Sequence, residues 1–114
     1  MKLPVIGGII LSAVMMSCAS TKVVTAPAQT DVDRVQEQFP GYTLAQLNEG
    51  KSLYESHCGN CHALKKPGDE SEKEWREEVP KMVQKVNRKE NITLGDEKEE
   101  LILRYVLTMG PLKK

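Results

Sequence analysis

The sequence predicts a small all-α domain of three to four helices. Apolar residues recur at spacings of three and four in three separate stretches, each stretch opens on a helix-capping pattern, and none alternates apolar with polar residues as a half-buried strand would. Of the 114 residues the first 17 have the make-up of an export signal, so one small domain is the ceiling. A body of about 70 to 75 residues buries a modest share of its surface and usually needs a metal, disulfides or a cofactor to be stable. An aromatic content of only 4% points the same way, because little large apolar surface is available to fill a centre. Acidic and basic residues balance at 16 each, which excludes a generic polyanion binder such as a nucleic-acid protein.

The N-terminus, MKLPVIGGIILSAVMMSC, starts with the positive Lys2, continues apolar from Leu3 to Met16 with Ser12 interrupting, and closes on Ser17-Cys18. This run is too short to span a membrane comfortably, and the small residue before a cysteine resembles a bacterial lipoprotein signal cleaved before Cys18. Met15 departs from that pattern, which prefers Leu at the third place before the cysteine. The resemblance implies a lipidated Cys18 that anchors an exported, periplasm-facing protein to a membrane. Ala19 after the cysteine slightly favours the outer membrane, by the sorting rule of enteric bacteria. Residues 18–40 are rich in Ala, Thr, Ser and Gln and lack a sustained period, so they read as a flexible tether in which Val32, Val35 and Phe39 form a partial turn at most. The folded domain is expected over residues 41–114.

Within it, Thr43 and Gln46 form a capping box before a helix whose Leu44, Leu47 and Tyr54 share one face. Gly50 inside that helix costs about 1 kcal/mol relative to Ala, and close approach of a second helix is the usual reason to keep one. Ser71 and Glu74 cap the next helix, with Trp75, Val79, Met82, Val83 and Val86 on its apolar side. Pro80 predicts a kink there, or two short helices. In the last helix Asp96 pairs with Glu99 as a cap, Leu101, Ile102, Tyr105, Val106 and Met109 form the stripe, and Gly110-Pro111 ends it.

The chemistry is concentrated in Cys58-Gly59-Asn60-Cys61-His62. A redox dithiol would place the first cysteine at a helix N-terminus after a buried strand, whereas Cys58 follows a helical pattern in a chain without strand signals. A zinc site needs four tetrahedral ligands, usually from two separated pairs, and no second cluster accompanies His57, Cys58, Cys61 and His62. A covalent haem anchor gives every residue a role: Cys58 and Cys61 join the haem vinyl groups as thioethers, and His62 supplies the proximal nitrogen to iron. Export agrees, since such attachment is made outside the cytoplasmic membrane.

With these residues in view, positions 43–114 resemble a class I cytochrome c domain. The resemblance implies one haem c per chain and a first helix that leads into CxxCH and crosses the last helix, with Gly50 beside Tyr105. It also implies a sulfur ligand opposite His62. Met82 is the expected distal ligand and Met109 a packing residue; the loop NRKENITLGD, where many relatives carry the ligand, contains no Met. Pro67 is a candidate carbonyl acceptor for the His62 Nδ1 proton, with a plain turn as the alternative. Trp75 is read either as packing on the haem or donating to a propionate, or as ordinary core, and His57 as solvated or propionate-contacting. Lys65, Lys66, Lys81, Lys85, Arg88 and Lys89 form a positive region diluted by Glu77, Glu78 and Glu90.

No set of catalytic acid, base and nucleophile is visible. The expected function is therefore single-electron transfer between redox partner proteins by a lipid-anchored monohaem cytochrome, not an enzyme. The alternative is a haem-based ligand-binding or sensory protein with an open or weak sixth iron position. A structural lipoprotein without cofactor would treat CxxCH as coincidence.

Overall fold

Residues 26–60 and 63–113 are described by a computed structural model, and within them lie four α-helices: α1 (Gln29–Arg34), α2 (Leu44–His57), α3 (Glu72–Glu90) and α4 (Asp96–Met109). Two short 3₁₀ turns, Cys58–Asn60 and Pro67–Asp69, belong to the connection between α2 and α3. Among the described residues there is no strand, so the domain is all-α as the periodicity predicts. None of its helices is long and apolar enough to cross a membrane. The export signal and Cys18 lie outside the described residues.

Two of the three predicted caps form. Thr43 Oγ1 accepts the Gln46 amide at 3.2 Å while Gln46 Oε1 accepts the Thr43 amide at 3.1 Å. Ser71 and Glu74 repeat this at 3.2 and 2.7 Å, satisfying amides that a helix start leaves without partners. The third expectation is corrected: Gly95, not Asp96, is the N-cap of α4, and no side chain caps it. Asn87 sets that start instead, its carboxamide accepting the Leu94 amide at 2.8 Å and donating to the Leu94 carbonyl at 3.3 Å. Asp96 thereby moves one place into the helix, where it, Glu97 and Glu99 face the positive end of the dipole.

Pro80 does not divide α3, which runs unbroken over 19 residues. The proline removes one hydrogen bond, to the Arg76 carbonyl, while Trp75 and Val79 before it and Val83 and Val86 after it stay buried on one stripe. Burial of that stripe on both sides of the proline outweighs the single lost bond.

The central contact is between α2 and α4, which pack more extensively than any other pair of helices. A Cβ on Gly50 would lie 2.2 Å from the Leu101 carbonyl oxygen and 2.9 Å from Tyr105 Cβ, so only glycine lets the two backbones approach this closely. Tyr54, one turn further along α2, wedges between Tyr105 and Trp75 at ring separations of 5.8 and 5.9 Å, the latter edge-on. Gly110 makes a second close approach, because a Cβ there would meet the Pro67 carbonyl oxygen at 2.1 Å.

Residues 29–40 are not tether, and the expected boundary at 41 is corrected. Val32, Val35, Phe39 and Tyr42 are buried in the core, and α1 packs on both α2 and α4. Arg34 reaches the end of α4, donating to the Thr108 carbonyl at 2.9 Å and the Leu112 carbonyl at 3.0 Å. Arg104 lies over the Phe39 and Tyr42 rings at 4.8 and 5.6 Å from their centroids. These four apolar residues follow at spacings of three, four and three, a run too short to register as a sustained period, yet all of them join the core.

Asp31 is buried beside Arg34, 3.0 Å away, and accepts the Ala28 amide at 2.9 Å. Burial opposes its charge, but the amide and the guanidinium outweigh that and hold its carboxyl below the ordinary carboxylate range. A carboxyl with a depressed folded pKa adds stability above about pH 4, and this is lost as pH falls through the folded value. Asp31→Asn is therefore expected to flatten the acid limb of the stability profile below about pH 4, measured by urea unfolding at a series of pH values. Gly50→Ala is expected to destabilise the domain by about 2 kcal/mol or more in the same measurement. Gly68→Ala, whose added Cβ meets nothing within 4 Å, should change stability by less than about 0.5 kcal/mol.

Candidate cofactor site

The α2–α4 crossing determines where α2 ends. His57 closes that helix and Cys58 opens the 3₁₀ turn, its side chain buried at 4% exposure. His57 Nδ1 lies 2.7 Å from Glu90 Oε2, tying the end of α2 to the end of α3. The ring of His57, read from the sequence as solvated or propionate-contacting, is partly exposed and has Nδ1 engaged by the protein's own carboxylate.

A cleft of about 220 Å³ lies between this turn and α3, lined by Tyr54, Cys58, Leu64, Lys65, Glu78, Lys81, Met82 and Lys85. It brings together two residues that the sequence singles out separately for one cofactor, Cys58 and Met82. Met109 is elsewhere, partly buried against the core at the end of α4. Cys61 and His62 lie outside the described residues. Among the described residues no three His, Cys, Asp or Glu side chains gather as a separate metal site.

The walls are chemically divided. Leu64, exposed at 38%, and Met82 offer apolar and polarisable surface beside the Cys58 sulfur. The other edge is charged. Lys65 Nζ bonds Glu70 at 2.6 Å and Glu78 at 3.1 Å, and these carboxylates hold the ammonium above its ordinary range.

Behind the cleft a buried set of bonds fixes the segment that leaves the motif. Burial pushes the Tyr54 hydroxyl well above its usual range, so it remains protonated, and it donates to the Lys65 carbonyl at 2.6 Å. Trp75 is fully buried and its indole N–H donates to the Pro67 carbonyl at 2.8 Å. Its N–H is thus engaged inside the protein, and of its two expected roles the geometry supports core packing over propionate donation. Gly110 also lies against the Pro67 carbonyl, and His62, the donor expected there, lies outside the described residues.

A thiol, a thioether sulfur, an apolar wall and a cationic edge meet in this cleft, and these are groups that a haem could use. The volume is below the roughly 300–1,000 Å³ of cavities that enclose a drug-sized ligand, so this cleft is large enough for only part of a macrocycle.

Comparison with protein-family models, with curated proteins and with solved structures finds no match to this chain. The family resemblance therefore rests on the residues themselves. Leu64 and Glu78 are cleft residues that sequence reasoning did not assign to the site. The signal for Glu78 was its spacing: Glu78, Lys81, Met82 and Lys85 follow at three, four and seven residues, one edge of a helix.

Tyr54→Phe is expected to lower stability by about 1 kcal/mol through loss of the bond to Lys65. Chemical denaturation measures the loss, and amide hydrogen exchange should show faster exchange over residues 63–67 than over α3.

Proposed function

We propose that this protein is a monohaem cytochrome c that transfers single electrons, exported and held to a membrane, with the outer membrane slightly favoured, by a lipid on Cys18. The observation that carries the reading is the cleft that joins Cys58 to Met82, immediately beside a Cys58-Gly59-Asn60-Cys61-His62 sequence. The Gly50–Tyr105 approach supports it, because a class I cytochrome c resemblance implies this helix crossing.

In this reading Cys58 and Cys61 would hold the haem covalently through their sulfurs, and His62 and Met82 would ligate its iron. The haem, when bound, supplies a one-electron couple; the protein supplies its attachment, orientation and partial shielding from water. Tyr54, Trp75 and Pro67 hold the segment following the motif, and a rigid surround of this kind limits reorganisation as charge changes. The part of the macrocycle the cleft does not cover would face redox partner proteins. Residues 19–28 connect the lipid to the packed body and give it reach.

Coexpression with cytochrome c maturation machinery tests the reading. Covalent haem should survive on a denaturing gel in the wild type and be lost from Cys58→Ser with Cys61→Ser. The oxidised protein should show a sulfur-to-iron charge-transfer band that disappears in Met82→Ala and persists in Met109→Ala. Covalent haem without that band, together with carbon monoxide binding by the reduced wild type, would instead favour the ligand-binding or sensory reading. A colourless mature protein would reject both.

A further inference from the structure

The packed body starts earlier in the chain than its sustained helical periods suggest, and this shortens the span between it and Cys18. Val32, Val35 and Phe39 are only 0%, 2% and 7% exposed, so α1 and the turn after it belong to the core. Arg34 clamps α1 onto the end of α4 through the Thr108 and Leu112 carbonyls, and Arg104 lies over the Phe39 ring. Ala28, the N-cap of α1, is fixed as well: its amide donates to Asp31, the carboxylate that Arg34 holds. Releasing α1 as extra tether would expose three buried apolar side chains and strip these carbonyls and the Asp31 charge of their partners.

Nine residues, 19–27, therefore separate a lipid on Cys18 from the fixed body, in place of the 22 of a tether running to residue 40. At the limit of about 3.5 Å per residue, whatever path the chain takes, the shorter span reaches about 35 Å and the longer one about 80 Å. That difference exceeds the roughly 30 Å width of a domain this size. We propose that the docked α1 is a stop on the tether, holding the electron-carrying body close to the membrane so that it exchanges electrons with partners fixed in that same membrane. The inference rests on the lipid and haem readings, and goes beyond them by assigning the class of partner. A membrane-fixed partner meets the body as a tethered neighbour, at an effective concentration that falls roughly as the −3/2 power of tether length once the span is exceeded. Lengthening the tether from nine residues to 22 lowers it about three- to fourfold. A partner free in solution meets the body at its own concentration whatever the tether length.

The test uses the full chain, lipidated and matured with haem, in vesicles that carry a ferrocenium-labelled lipid as the membrane-fixed partner. Wild type is compared with a variant carrying 13 added Gly/Ser residues between positions 25 and 26, and with one carrying the same insert between Pro40 and Gly41, an exposed turn after α1. Membrane retention of the wild type against Cys18→Ser, and haem staining on a denaturing gel, come first. Failure of retention overturns the lipid reading, absence of covalent haem overturns the cofactor reading, and either takes this inference with it. Stopped-flow oxidation of the reduced haem by ferrocenium lipid in the same vesicle should then slow about three- to fourfold with the insert before α1. It should stay at the wild-type rate with the insert after α1, which becomes a loop while α1 remains docked. Soluble ferricyanide should oxidise all three at one rate. Equal slowing by both inserts, or no slowing by the insert before α1, overturns the inference while leaving the lipid and haem readings intact. So does an equal slowing of the ferricyanide reaction, since the loss then lies in the body and not in its tether.

Discussion

The contact of α2 with α4 at Gly50 is the constraint on which the remaining structure depends. With no Cβ at that position, the Leu101 carbonyl and Tyr105 Cβ can lie against the α2 backbone, closer than any side-chain-bearing residue would allow. The cost of a helical glycine, about 1 kcal/mol in an isolated helix, is offset by the apolar surface that the close approach buries. Leu47, Tyr54, Ile102, Tyr105 and Val106 all lie in the core around this crossing. Helix α2 therefore has a defined direction, and Cys58 is delivered to a defined place at its end.

Tyr54 converts that crossing into a site. Its ring packs against Tyr105 of α4 and Trp75 of α3, so one side chain ties three helices together. Its hydroxyl then holds the Lys65 carbonyl on the far side of the motif, while Trp75 holds Pro67 two residues later. The chain leaving the CxxCH segment is thus fastened by two donors to backbone carbonyls, and the chain entering it by the packing of the Tyr54 ring. Gly110 allows the Pro67 turn to sit directly against the end of α4. Apolar packing places the helices, and these few directed bonds place the loop.

Much of this was legible in the sequence because it is local. The capping boxes of α2 and α3 act over four residues, and the apolar stripes of α3 and α4 repeat at the helical period. Pro80 was misleading for a physical reason: a local rule accounts for its lost hydrogen bond, while the burial that keeps α3 continuous comes from other helices. The segment around α1 was misread in the opposite sense. Its six-residue helix is too short to be stable alone, and its place in the fold depends on Arg34 meeting the carbonyls of Thr108 and Leu112, more than seventy positions away.

By itself the sequence determined the all-α class, since residue type and short-range spacing are enough for that, whereas the approach of Gly50 to Tyr105 was expected only through the family resemblance and is what the structure shows. Only the tertiary structure decided that Cys58 and Met82 share a cleft. It alone also decided that Glu78 and Glu90 are engaged by Lys65 and His57. Such facts depend on which faces of α2 and α3 meet, and that orientation is set by the packing of both helices on α4, which no local pattern encodes.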